Sequence, residues 1–367
     1  MGFDGCACQT KTAANIFILG GRVGTGTGKV KVQGTGSTTF DNVKAGVYGG
    51  ACDRGGDNSF IYMDGGIVES GIYGGANING TMTGNTNIQI VGGQVGTSTT
   101  SANVHGGGYG NSTRVLGSVN LTVGKSGATE GATIYGDVYG GSAEGKTNGN
   151  NSRTSGAETN VTLNAGTING SLYGGGLGTA GNSGYAADVY GPVQVTVNGG
   201  SVLKTDANGA NGSGGVYGCN NIKGAPQGNV SVDIYGTDPA PAEGEYALFS
   251  VYGGGNKADY DNQPSVTIHN CDNSIEYVYG GGNAAAVNST NVTIYGGNKI
   301  GNVFGGGNGI SGTAANVTGD AGTYVMIYGG TIGNIYGGSN KTGTINGPIE
   351  VRVEAEEDVQ VQQIHLV

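Results

Sequence analysis

The residues best spaced for chemistry are two pairs of aspartates, Asp53 with Asp57 in "ACDRGGDN" and Asp259 with Asp261 in "ADYDNQ". Loop carboxylates this close together are oxygen ligands for a hard cation, so Ca2+ is the one cofactor these residues nominate. The second pair opens like a calcium loop, D-x-D-N, but lacks the glycine and the closing glutamate of that motif. Solvated loop acids are the plainer account. A glycosidase would need two carboxylates about 5 to 9.5 Å apart. In a repeating chain that means an acid at one slot of successive repeats, and no such column is visible. His105, His269 and His365 form no H-x-x-x-H pattern and join no cysteine cluster. Cys6, Cys8, Cys52, Cys219 and Cys271 are odd in number, so isolated thiols or one incidental disulfide are expected. "GRVGTGTGKV" (21–30) fails as a phosphate loop: Val23 stands where the first glycine belongs and Val30 follows Lys29 where Ser or Thr belongs. No residue is nominated as catalytic.

What does recur is an aromatic residue in front of glycines: "GVYGG", "GIYGG", "DVYGG", "SLYGGG", "SVYGGG", "YVYGGG", "NVFGGG", "NIYGG". The anchors of this phrase are Tyr48, Tyr73, His105, Tyr139, Tyr173, Tyr217, Tyr252, Tyr279, Phe304 and Tyr336. From Tyr48 to Tyr336 is 288 residues over nine intervals, 32 on average. The spacing is loose, so a kernel is kept while loops vary. His105 stands in an anchor slot, where it replaces a tyrosine.

Each anchor is preceded by a second phrase, as in "TNIQIVGG" (86–93), "TNVTLNAG" (159–166) and "TNVTIYGG" (290–297). Apolar and polar residues alternate there with period two, the pattern of a strand with one buried face. The buried set includes Ile88, Ile90, Val161, Leu163, Val230, Val232, Val292, Ile294, Val325 and Ile327. No stretch has helical periodicity. One such unit is too small to bury its own apolar face, whereas stacked units bury a continuous core. The expected fold is all-β, a parallel β-helix (β-solenoid) of about ten to twelve coils with variable loops. Glycines would turn the corners by supplying positive φ. Asn120, Asn160, Asn229 and Asn291 open equivalent strands and suit turn geometry and amide ladders better than glycosylation.

Bulk composition agrees with a repeat protein. Glycine is 81 of 367 residues, against a usual share of about 7%, and charged residues are only 11%. With six prolines and no Gly-X-Y period, collagen is excluded. The net charge is -10 and no basic stripe appears, so nucleic acid is not an expected partner. The longest early apolar run, "IFIL" (16–19), is too short for a membrane span.

The residue before each anchor is aliphatic, and the residue two before is mostly small or polar. Positions two apart in a strand share a face. The aliphatic set should therefore point into the core and the anchors outward, as a ladder on the outer wall. Coil-to-coil stacking would stabilise by about 0.5 to 1.5 kcal/mol per pair beyond burial. An exposed ladder would also be a platform for a ligand. Stacking is the first expectation, since a feature of every coil serves the stack. Tyr48, Tyr73, Tyr139, Tyr173, Tyr217, Tyr252, Tyr279, Phe304 and Tyr336 are also the binding candidates.

In repeat style and composition, residues 15–353 resemble the right-handed parallel β-helix proteins of bacterial surfaces, the Gly/Asn/Thr-rich adhesins and autotransporter passengers. The resemblance implies an extracellular or cell-surface location and a non-enzymatic role in adhesion or structural display. The same architecture also carries polysaccharide-binding and polysaccharide-degrading proteins, which form the alternative, with an end-to-end filament subunit as a third. The expected partners are a glycan or a host surface protein, or further copies of this chain meeting end to end or side by side. Residues 1–14 read as an N-terminal segment. Residues 354–367 read as an acidic cap or the start of a next module, because a solenoid end must be covered or charged.

Overall fold

The computed structural model describes residues 13–24, 27–32, 38–51, 54–203, 214–239, 245–271, 274–354 and 360–365. Cys6, Cys8, Cys52 and Asp53 lie outside the described residues. No helix forms among those described, and 25 strands join in one sheet network. The chain is a parallel β-solenoid.

Alternation of apolar and polar residues creates the first wall. Its strands run from Ala14–Val23 through Ser59–Val68, Thr86–Val95, Val119–Val123 and Thr159–Leu163 to Ile349–Val353. Ten parallel pairings join eleven of them, with register shifts in the first two, after Ile18 and after Met63. The inward set expected from the sequence is buried, with Ile88, Ile90, Val161, Leu163, Val232, Val292, Ile294, Val325 and Ile327 all at 0% exposure. A short turn leads to a second wall of brief Thr-Ile or Ser-Val segments, such as Thr133–Ile134, Thr167–Ile168 and Ser201–Val202. The third wall carries the aliphatic-aromatic pair of each repeat, from Val47–Tyr48 through Leu172–Tyr173 to Thr331–Tyr336. A variable loop with a fourth, short ladder returns the chain to the first wall.

Three details differ from the sequence expectation. Thr27–Val32 and Thr38–Lys44 pair antiparallel, so Lys29 and Val30 belong to a strand outside the coil pattern. Gln360–His365 pairs in parallel with Thr331–Tyr336, with His365 opposite Tyr336 in the backbone register, so part of the 354–367 tail continues the sheet. Asn229 precedes its strand, whereas Asn120, Asn160 and Asn291 share one register column in which Gln194, Ser231 and Ser265 also stand.

Candidate binding surface

The anchor rings form one column on the side of the third wall away from the aliphatic core. Neighbouring centroids are 4.6 to 5.1 Å apart with planes within 14° from Tyr48 to Tyr336. His105 is stacked between Tyr73 and Tyr139, which accounts for its presence without a metal. The rings point away from the core as expected, but they do not form an outer wall. Tyr73, His105, Tyr139, Tyr173, Tyr217, Tyr252, Tyr279 and Phe304 are buried, and only Tyr48 and Tyr336 are half-buried. The cause is the loop after the glycines, which folds back over the rings: Tyr109 meets the Tyr73 ring edge-on at 5.5 Å, and Leu177 packs against the later rings.

In the later coils the residue four beyond the anchor is asparagine: Asn221, Asn256, Asn283, Asn308 and Asn340 form an amide ladder. The side-chain amide of Asn256 donates to Asn221 (2.9 Å), Asn283 to Asn256 (2.8 Å), Asn308 to Asn283 (2.7 Å) and Asn340 to Asn308 (3.0 Å). The ladder also meets the phenols. Asn221 donates to the Tyr139 hydroxyl at 2.8 Å and Asn340 to the Tyr279 hydroxyl at 3.0 Å. Burial pushes the Tyr139, Tyr173, Tyr217 and Tyr252 phenols well above their ordinary range. Ring faces are occupied by neighbouring rings and the column is roofed by amides, so this ladder offers a ligand little access.

The calcium candidates are engaged in the fold. The Asp259 carboxylate accepts the backbone N–H of Ala286 one coil on (2.7 Å), and Asp57 accepts the hydroxyl of Thr83 (3.1 Å). Asp261 is an exposed loop residue. Among the described residues no group of three or more His, Cys, Asp or Glu gathers as a metal site. Cys219 and Cys271 are buried thiols.

The accessible surface with regular chemistry is the outer face of the first wall, where three columns alternate with the buried residues. One holds Asn120, Asn160, Gln194, Ser231, Ser265 and Asn291. The next holds Thr122, Thr162, Thr196, Asp233, Thr267 and Thr293. The third, at the strand exits, runs Asn164, Asn198, Tyr235, His269, Tyr295 and Tyr328, each backbone N–H bonding the coil before. Asn198 donates its amide to Asn164 at 2.9 Å. Tyr235 and His269 stack at 4.0 Å, His269 and Tyr295 at 5.8 Å, and Tyr295 and Tyr328 at 5.1 Å. This second aromatic column is open to solvent: Tyr235 is 51% exposed, Tyr295 52% and Tyr328 37%. His269 Nε2 lies 3.1 Å from Asp233 Oδ1. A shallow depression on the same face is lined by Glu158, Asn160, Gln194, Asn229, Ser231 and Ser265.

Sequence reasoning missed this surface, although its signal was present. "DIYG", "TIHN", "TIYGG" and "MIYGG" each end a first-wall strand with an aromatic residue one step past the last buried aliphatic. No protein-family model, curated protein or solved structure matches the chain. No helix among the described residues is long and apolar enough to cross a membrane.

Proposed function

We propose that this chain is a non-catalytic solenoid of a bacterial cell surface, serving adhesion or structural display, and that it engages its target through the outer face of the first wall. The observation that carries the reading is the exposed column Tyr235–His269–Tyr295–Tyr328 beside two flat polar columns. Solvent-facing aromatics in a contiguous row mark interaction sites, and a stack of coils repeats the same chemistry along its length. The location rests on the resemblance in repeat style to Gly/Asn/Thr-rich surface β-helices. Flat wall residues suit holding a long target, whereas a hydrolase or lyase would need a carboxylate or base set converging on one bond.

The test is an array of glycans and host surface proteins probed with the full chain, beside a screen for reducing ends released from polysaccharides. Binding without release is expected, lost in a Tyr235→Ser/Tyr295→Ser/Tyr328→Ser variant that still folds. Released reducing ends would overturn the non-catalytic reading. Undiminished binding by the triple variant would overturn the assignment of the face.

A further inference from the structure

We infer that the first wall's outer face takes a neutral, hydroxyl-rich polymer, an extended uncharged polysaccharide, lying along the solenoid axis. The inference rests on the reading of this face as the binding surface and names its ligand class. Charge is the first argument. The three outward columns make eighteen positions, on strands from Val119–Val123 to Thr323–Ile327. Those positions hold one carboxylate, Asp233, and no lysine or arginine. A polyanion needs cations in its track and would meet a chain of net charge -10. A polycation needs repeated acids and finds two on this track, Asp233 facing His269 and Glu158 at the rim of the depression, where it accepts the Asn160 amide at 3.1 Å.

Geometry is the second argument. Amides and hydroxyls recur about 4.8 Å apart from coil to coil and about 6.6 Å apart from column to column. Such a grid offers donors and acceptors at the repeat of a sugar chain running across the coils, and the depression beside Asn160 and Gln194 widens the track. The aromatic column agrees. Tyr235 and His269 cover each other's faces at 4.0 Å, as Tyr295 and Tyr328 do at 5.1 Å, so the rings show edges and hydroxyls outward. Ring edges carry the positive end of the quadrupole and suit polyol oxygens. A protein partner would instead favour an apolar centre with a polar rim. Here the centre is threonine, and the apolar groups form one edge.

The test uses affinity electrophoresis and pull-down with cellulose, chitin, a soluble β-glucan and a galactomannan as neutral probes, and alginate and polygalacturonate as anionic ones. The full chain should be retained by at least one neutral polymer, equally at low and high salt, and by neither anionic one. Thr162→Glu/Thr196→Glu should weaken that retention by about tenfold or more with circular dichroism unchanged. If the double variant melts early, Gln194→Ala, an exposed side chain beside the depression, serves as a second variant and should also weaken it. Passage of all four neutral probes, salt-sensitive retention on an anionic one, or equal retention of wild type and folded variants would each overturn the inference. Loss of a protein partner in the triple tyrosine variant, with no neutral polymer retained, would leave the adhesion reading standing and remove only the ligand class. Retention followed by cleavage would do the reverse.

Discussion

The glycine that follows each ladder ring has ordinary backbone angles, so its missing side chain matters only for space. A Cβ at Gly49, Gly74, Gly106, Gly140, Gly174, Gly218, Gly253, Gly280 or Gly305 would lie 2.2 to 2.4 Å from the carbonyl oxygen of the matching glycine one coil on. Positive φ, the expected reason for the corner glycines, belongs instead to the turn after the first wall, at Gly93 (82°) and Gly200 (82°) for example. Gly140→Ala should therefore cost about 2 to 4 kcal/mol, at or above the usual range for overpacking, because backbone of two coils must part. Gly20→Ala, whose Cβ would meet nothing within 4 Å, should stay within about 0.5 kcal/mol of wild type. Paired urea melts would show the contrast, and equal effects would refute it. Asp137 offers a test by pH. Burial raises its carboxyl above the ordinary range, against the opposing bonds from the Ser171 N–H and the Tyr139 hydroxyl. A raised carboxyl favours the fold at low pH and loses that contribution as pH climbs through its folded value. Asn103 fills the same slot one coil earlier and accepts the Asp137 N–H at 3.0 Å. Asp137→Asn should thus raise the melting temperature at neutral pH, with a gain that shrinks as pH falls through the raised folded value and is gone below about pH 4, the ordinary range of the group. A gain independent of pH would remove charge as the cause.

At the scale of elements, one written phrase serves two structures. In "NVFGGGN" the aromatic ends a third-wall segment, the loop returns over it, and Phe304 is buried. In "TIYGGN" the aromatic ends a first-wall strand, a short turn leads on, and Tyr295 is half in water. Period-two alternation told which residues face the core, since that depends only on neighbours in the strand. It could not tell what covers the other face, which depends on loops whose path no local pattern encodes. The stacking of the anchors was legible for the first reason, and their burial was not for the second. The exposed column and the asparagine four residues past each late anchor were legible only as register, after alignment of coils of unequal length. The asparagine ladder carries its own prediction. Asn283 donates to Asn256 and accepts from Asn308 and, more distantly at 3.4 Å, from the Tyr252 hydroxyl. Asn283→Ala strands buried partners on both sides, at about 1 to 3 kcal/mol each. Asn340→Ala, at the ladder's end and half-buried, should cost less than half as much. Chemical denaturation of the two variants measures the difference, and the reverse order would show that the amides do not act as a chain.

Over the whole molecule, each coil is held by the two beside it, so stability is set by position in the stack rather than by any one contact. Interior strands such as Thr159–Leu163 and Val230–Ile234 pair on both edges and bury their inward residues. Among the described residues, Ala14–Val23 and Ile349–Val353 pair on one edge only, and Ile349 and Val353 remain 39% and 38% exposed. In a quasi-one-dimensional stack a coil paired on one edge leaves at the cost of one interface and a coil paired on both edges at the cost of two, so opening should start from the one-edge coils and move inward. Hydrogen exchange followed by mass spectrometry reads this directly. Amides of 159–163 and 230–234 should exchange about a hundredfold or more slowly than those of 349–353, with 264–268 close to the interior value and 323–327 between. Gly140→Ala extends the argument, since it weakens one interface in the interior. Its effect should appear first in the coils carrying Val119–Val123 and Thr159–Leu163, while 290–294 keeps its protection. Uniform protection from end to end, or uniform loss in the variant, would mean that the solenoid opens as a single unit and that nearest-neighbour coupling is not what holds it.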